Sequence, residues 1–416
     1  MEIQRDFYLN ELVRKQGNGF VKIITGLRRC GKSYLLRTIF KNYLLKQGFS
    51  SDQIIEIAFD ERDNKKFCDS DVFYEFAKAK LEQYPNAIFL LDEIQLLNDF
   101  ESVLNGLLGR HAEIYVTGSN ARFLSKDIIT EFRGRGDEIH MSPLSFAEYF
   151  SVFNDDKIGR FHEYMLYGGL PLVALSRVPE DKIAILNSLY NETYLIDIKG
   201  RNKIRKISEL ESLLNILSSN IGGLVNPEKL RNIFRSVYKS SITVDTINRY
   251  IGILEDAYLL EEVKRYDVKG NAYIGTPLKY YYSDLGLRNA RLNFRQIEET
   301  HSMENIIYNE LRHRNFNVDI GQVVVNEKNS NGLYVRKNLE VDFVANKGFK
   351  RYYIQSAYMI PDEEKKQQEI RSLLKINDSF KKIVITSHAP APMYDSNGIL
   401  TMSVYDFLLN PNSLDF

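Results

Sequence analysis

Eight residues near the start of the chain, Gly26-Leu27-Arg28-Arg29-Cys30-Gly31-Lys32-Ser33, have the types and spacing of a loop that cradles phosphate. They fit G-x-x-x-x-G-K-[ST], with Tyr34 next in line. Gly26 and Gly31 allow backbone N–H groups to converge on phosphate oxygens, and a helix opening at Ser33 adds the partial positive charge of its first turn. Lys32 is the residue to reach the β and γ phosphates, and Ser33 the one to hold Mg²⁺. The expected ligand is a nucleoside triphosphate, ATP before others. A chance match in a glycine-rich loop is the bland alternative, and the strand before the loop and the helix after it argue against that.

A second constellation follows at Ala87-Ile88-Phe89-Leu90-Leu91-Asp92-Glu93, an apolar strand that ends in two acids. Asp92 can enter the magnesium shell while Glu93 orients or deprotonates the attacking water, which favours hydrolysis over binding alone. Alternatively Glu93 caps the helix that follows. Phosphoryl transfer also needs a group that senses the γ phosphate and a cation that offsets charge in the transition state. Ser119 and Asn120, in Val116-Thr117-Gly118-Ser119-Asn120, are the sensor candidates. Arg135 is the first choice of arginine finger, with Arg133 and Arg122 behind it, although any one of them can equally be a solvated surface charge.

The elements that must position these groups are visible in the pattern. Strands are expected at Phe20–Thr25, Gln53–Phe59, Ala87–Leu91, Glu113–Thr117 and Asp137–Met141, alternating with amphipathic helices such as Ser33–Leu45. That rhythm predicts an α/β fold with a parallel sheet and crossover helices. From Leu144 to Ile204 the pattern is helical, broken by a turn at Tyr167-Gly168-Gly169-Leu170-Pro171. Three further helices, Glu209–Ser219, Pro227–Arg235 and Thr243–Asp256, precede a hairpin that begins near Leu259 and turns at Lys269-Gly270-Asn271. Three helices and a hairpin describe a winged helix-turn-helix. A last unit starts near Ser302 with a helix, Glu304–Arg312, and strands at Val318–Val325, Leu339–Ala345, Arg351–Ser356 and Lys382–Thr386.

At 416 residues the chain is long enough for about two to four domains. Its 55 Lys and Arg balance its 55 Asp and Glu, so no whole-chain field draws it to nucleic acid or membrane. The cysteines are Cys30 and Cys68, which offer no disulfide framework, and the six histidines have no metal-ligand spacing. Without a signal-peptide pattern or a bilayer-length apolar run, the protein is expected to be cytoplasmic and to have no membrane partner.

With these residues named, the chain resembles the AAA+ ATPases of the archaeal-type branch found widely in bacteria. The matching stretches are Gly26–Ser33, Phe89–Gln95, Val116–Ser125, Phe132–Arg135, Pro143–Phe150, Tyr167–Pro171, Leu339–Ala345 and Tyr352–Tyr358. The family's TGSS motif ends here in Asn120, which keeps a polar side chain. The resemblance implies a P-loop AAA+ core over 1–142, a helical lid over 143–205, a winged helix-turn-helix over 206–299 and a small α/β restriction-endonuclease-like domain over 300–416.

A nuclease of that fold needs a helix acid, a strand acid, and an acid and a Lys one residue apart on the next strand. Glu304 and Asp342 can supply the first two, but Gln355 replaces the second carboxylate and Ala357 replaces the Lys. The domain is therefore expected to be catalytically silent, unless Lys350 or Arg351 stands in. Glu304 and Asp342 then become a buried structural pair or part of an inert ligand site.

For DNA, the third helix of the winged unit carries Thr243, Asp245, Thr246, Asn248 and Arg249, and the run Lys199–Lys206 is strongly basic. Glu255, Asp256, Glu261 and Glu262 work against it, so a protein client or a solvated linker stays open, as does an oligomer completed by a finger in trans. The abundant tyrosines, including Tyr280-Tyr281-Tyr282, are read as core.

Overall fold

The computed structural model describes residues 3–118, 136–191, 198, 204, 206–328 and 333–416. The chain divides into two compact units, Met1–Pro143 with Glu255–Leu259, and Leu144–Leu254 with Leu260–Phe416.

In the first unit α1 (Asp6–Arg14) leads into β1 (Val21–Gly26). A composite helix α2 follows, built from Lys32–Tyr34, a π-helical Leu35–Phe40 and Lys41–Lys46. Then come β2 (Ile54–Ala58), α3 (Ser70–Gln83), β3 (Ile88–Asp92), α4 (Phe100–Leu108), β4 (Glu113–Thr117) and β5 (Gly136–Met141). The five strands run in the order β2-β3-β4-β1-β5, and every pairing is parallel. Each expected strand is present, displaced by no more than one residue at either end.

β1 and β3 are buried along their whole length because helices cover both faces, the usual reason parallel strands read as unbroken apolar runs. Phe73, Phe100, Leu104 and Leu107 pack beneath them, each fully buried side chain worth about 1.5–3 kcal/mol. Lys22 breaks the apolar run of β1, yet its buried ammonium meets Glu113 Oε1 at 2.6 Å and the Tyr115 ring at 5.2 Å. The paired charge makes that burial tolerable. The sequence expects one regular helix after the loop, and the wider π turn inside α2 is a departure from it.

The second unit opens with α5 (Phe146–Phe153), α6 (Lys157–Tyr167), α7 (Pro179–Ser188), α8 (Ile207–Ser219), α9 (Pro227–Ser236) and α10 (Val244–Asp256). The hairpin β6 (Leu260–Asp267) and β7 (Ala272–Tyr282) follows, then α11 (Leu285–Arg291), α12 (Glu299–His313), β8 (Asn317–Lys328), β9 (Tyr334–Lys347) and β10 (Lys350–Ala357). The chain ends through α13 (Glu363–Leu374), β11 (Lys381–Thr386), β12 (Met393–Tyr394), β13 (Ile399–Ser403) and α14 (Val404–Leu409).

The helices expected before the hairpin are present within two residues of their expected ends. The hairpin itself is not a free-standing wing. Arg265, Tyr266 and Asp267 of β6 pair in parallel with Ile320, Gly321 and Gln322 of β8, so one sheet of eight strands runs β12-β13-β11-β10-β9-β8-β6-β7. Backbone pairing thus crosses the expected division between 206–299 and 300–416. The turn at Tyr167–Pro171 ends α6 as expected, and its glycines have a reason. The Gly169 N–H donates to Asp284 Oδ2 at 2.8 Å, and a Cβ on Gly168 would fall 2.3 Å from Asp284 Oδ1.

Candidate nucleotide site

Parallel strands end on one edge of their sheet, and that edge is where ligands of such sheets bind. Here β1 ends at Gly26, β3 at Asp92 and β4 at Thr117, on neighbouring or next-but-one strands. Gly26 has φ 132°, and a Cβ there would sit 2.1 Å from the Met141 carbonyl oxygen. Only glycine lets the chain leave β1 so close to β5. Arg29 and Gly31 also take positive φ, 66° and 106°, which turns the loop back toward the start of α2.

Cys30 points inward and donates its thiol to the Met141 carbonyl at 3.3 Å. The Arg5 guanidinium donates to the carbonyls of Cys30 at 3.2 Å and Ser142 at 2.7 Å. Cys30 and Leu27 are therefore buried props of the loop, whereas Arg29, Ser33 and Tyr34 are exposed and Arg28 is half-buried. Lys32 is buried, and its ammonium donates to the carbonyls of Gly26 at 2.9 Å and Leu27 at 3.0 Å.

The acid corner closes on the loop. Ser33 Oγ donates to Asp92 Oδ1 at 3.0 Å, and Thr117 Oγ1 donates to the same oxygen. Burial holds the Asp92 carboxyl above its usual range and Glu93 adds to this, while Thr117, Ser33 and Arg37 pull it back. The Glu93 N–H donates to Thr117 Oγ1 at 3.0 Å. Glu93 has φ 53°, a left-handed conformation that costs a non-glycine residue about 1–2 kcal/mol. Its carboxylate accepts from the Gln95 amide.

Sequence reasoning did not single out Arg37 or Thr117. Arg37 Nη1 lies 3.9 Å from Asp92 Oδ2, its Nε donates to Glu56 Oε1 at 2.7 Å, and its Nη2 reaches Glu61 Oε1 at 2.8 Å. It stands four residues after Ser33, one helical turn further along, which is the only sequence signal it gives. Ser119, Asn120, Arg122, Arg133 and Arg135 lie outside the described residues, as do 199–203 and 205 of the basic run.

In the second unit Glu304 and Asp342 do come together, both buried. Burial and the neighbouring Glu304 hold the Asp342 carboxyl well above its usual range, and its Oδ2 accepts from the Ser356 N–H at 2.7 Å. Gln355 accepts from Ser372 Oγ at 3.5 Å. A lysine that sequence reasoning missed, Lys279 of β7, sits among these acids 2.9 Å from Glu304 Oε1. Among the described residues no cluster of three or more His, Cys, Asp or Glu is arranged to hold a metal, and no helix is long and apolar enough to cross a membrane.

Residues 18–150 match the family described as an AAA domain, and residues 158–298 match a domain of unknown function. An uncharacterized protein of Haemophilus influenzae is 33% identical over 414 residues, 98% of this chain and 98% of its own length. One from Methanocaldococcus jannaschii is 29% identical over 396 residues, covering 91% of this chain and 82% of that protein. The chain belongs to the family of the Haemophilus protein, and its own residues 18–150 carry an AAA domain. Among solved structures, the Aeropyrum pernix ORC1 protein in complex with DNA is 11% identical, covers 70% of this chain and 93% of that one, and has a TM-score of 0.30. So distant a likeness adds nothing beyond itself.

Proposed function

We propose that the protein binds ATP with Mg²⁺ at the Gly26–Ser33 loop and hydrolyses the γ phosphate with a water oriented by Glu93. The observation that carries this reading is the double hydrogen bond onto Asp92, which joins the loop hydroxyl of Ser33 to the strand-end hydroxyl of Thr117. Ser33 and Asp92 are the residues that would hold magnesium, whose chemistry is to offset phosphate charge and polarise the γ phosphoryl group. An acceptor carboxylate beside a loop hydroxyl is the right donor set for that hard ion.

The roles of this chain's own groups follow. Loop N–H groups bind the phosphates, and Lys32 leaves the carbonyls of Gly26 and Leu27 for the β and γ oxygens. Glu93 accepts a hydrogen bond from the attacking water and holds it in line. Ser119 or Asn120 senses the γ phosphate and Arg135 serves as the finger. The nucleotide state then moves the helical segment 143–205 and the winged-helix segment 206–299. The region 300–416 is read as restriction-endonuclease-like and silent as a nuclease. Titration with a fluorescent ATP analogue tests the binding step: Lys32→Ala is expected to weaken affinity at least about tenfold, through loss of the charge-assisted contact. Unchanged affinity contradicts the assignment.

A second reading, an ATP-regulated nucleic-acid binder, has its own observation. Between α9 and α10 lies a concavity of about 810 Å³ lined by Arg231, Arg235 and Lys239 and also by Asp245 and by Glu228, which pairs with Arg231 at 2.8 Å. Three cations in one hollow suit a phosphate backbone. Turnover stimulated by duplex DNA, and lost in Arg235→Ala/Lys239→Ala, favours this reading; turnover indifferent to duplex disposes of it.

A further inference from the structure

Three carboxylates approach one another in the second unit, Glu304 from α12 and Glu340 and Asp342 from β9. Glu340 and Asp342 are two residues apart on a strand and so share a face. Acids offered by a helix and a strand are the residue types that a nuclease-like fold uses for magnesium, but with Lys279 among them these three are not arranged to hold a metal. A cation is already there, and it belongs to the chain. Lys279 reaches in from β7 with its side chain only 4% exposed, and its ammonium is 2.9 Å from Glu304 Oε1 and 2.8 Å from Glu340 Oε1.

The other contacts of Glu304 complete the cage. The Tyr281 hydroxyl, two residues along β7 from Lys279, donates to Glu304 Oε1 at 2.5 Å. His301 Nδ1 lies 3.6 Å from Glu304 Oε2. Gly222 backs onto that same oxygen: a Cβ built on it would sit 3.2 Å away, and 3.0 Å from His301 Nδ1. Glu304 Oε1 thus has an ammonium and a hydroxyl as partners, the His301 ring stands beside Oε2, and backbone closes one side. Gln355 and Ala357, in the place of a further acid and a lysine, bring no charge that could draw a metal in. Ser356 Oγ is buried without a hydrogen-bond partner, but it is a neutral oxygen and a weak substitute for a carboxylate.

We propose that the Lys279 ammonium is an internal cation occupying the place a divalent metal would otherwise take among Glu304, Glu340 and Asp342, so that this cluster binds no metal and instead ties the β6–β7 hairpin to α12 and β9. A metal entering the cluster would have to displace Lys279 and leave a buried ammonium without partners, which is strongly unfavourable. The reverse change is chemically simple. Removing the ammonium leaves buried acids that must take up protons or another cation, and a hard divalent ion is the single cation that can meet all of them at once. The inference needs neither the nucleotide nor Lys32, so it stands or falls apart from the proposed ATPase activity.

Manganese uptake by the nucleotide-free full chain, followed through the electron paramagnetic resonance of free Mn²⁺, provides the test. Wild type is expected to take up no Mn²⁺ that depends on Asp342, shown by comparison with Asp342→Asn. Lys279→Ala, and the bulkier neutral Lys279→Gln, are each expected to gain one site at least about tenfold tighter than any in wild type, because the ligand set regains an uncompensated charge. That site should vanish in Lys279→Ala/Asp342→Asn. Should the Lys279 variants melt early, Mn²⁺ is expected to raise their melting temperature and leave that of wild type unmoved. Asp342-dependent uptake by wild type overturns the proposal. So do Lys279 variants that neither take up Mn²⁺ nor are stabilised by it.

Discussion

Arg37 is the residue whose place in the site was hardest to see in advance and whose effect is simplest to measure. Its guanidinium spans Asp92, Glu56 and Glu61, so it orients the carboxylate that shares a hydrogen bond with Ser33. Groups that orient a metal-binding carboxylate typically matter by about 10- to 100-fold in metal affinity or activity. Arg37→Ala is therefore expected to raise the Mg²⁺ concentration for half-maximal turnover at least about tenfold, with a smaller effect on ATP affinity. Mg²⁺ titrations of steady-state activity check this, and an unchanged Mg²⁺ requirement makes Arg37 a mere helix charge. Lys32 and Ser33 were legible because a loop motif fixes their spacing, and Asp92 because it ends an unbroken apolar strand. Arg37 and Lys279 were not, because a single basic residue on a helix or strand has the same appearance whether it faces water or a buried acid. The contact that gives each its meaning joins segments distant in sequence, 55 residues apart for Arg37 and Asp92 and 25 for Lys279 and Glu304.

At the scale of elements, the strands of the first unit were readable to within a residue because parallel strands buried on both faces leave unbroken apolar runs. The closeness of two of those strands was not. Gly26→Ala would push a methyl into the Met141 carbonyl at a φ that alanine avoids, and is expected to lower stability by at least about 2 kcal/mol. Urea unfolding measures this, and an unchanged midpoint would mean that β1 and β5 can part without cost. The start of α11 makes a pH prediction. Burial raises the Asp284 carboxyl from 3.8 to about 6, despite the N–H groups of Gly169 and Leu287 that it accepts. A raised pKa favours the protonated form in the folded state, so its stabilising effect is complete below about pH 4 and is lost as pH rises through about 6. Relative to Asp284→Asn, wild type is expected to lose about 2–3 kcal/mol between those limits, from a shift near two units. Parallel pH profiles for the two proteins contradict this.

At the scale of the molecule, the sequence divides the region after residue 205 into a winged helix and a separate α/β domain, and the sheet does not respect that division. Alternation and turn residues reveal a hairpin, but they carry no information about which third strand it joins. Because β6 pairs with β8, a chain ending at residue 299 leaves the backbone edge of β6 open. That truncation is expected to be aggregation-prone or to melt well below the full chain, and a soluble, cooperatively folded fragment with the same melting temperature contradicts the continuous sheet. Whatever the second unit does, the proposed source of its movement is turnover at the Gly26–Ser33 loop. The most direct measurement is phosphate release by wild type and Glu93→Gln, made on the same preparations whose ATP affinity has been determined. The expected result is equal affinity with release at least about 100-fold slower in Glu93→Gln, the range lost with a general base. Equal release by the two proteins would contradict the hydrolytic role given to Glu93.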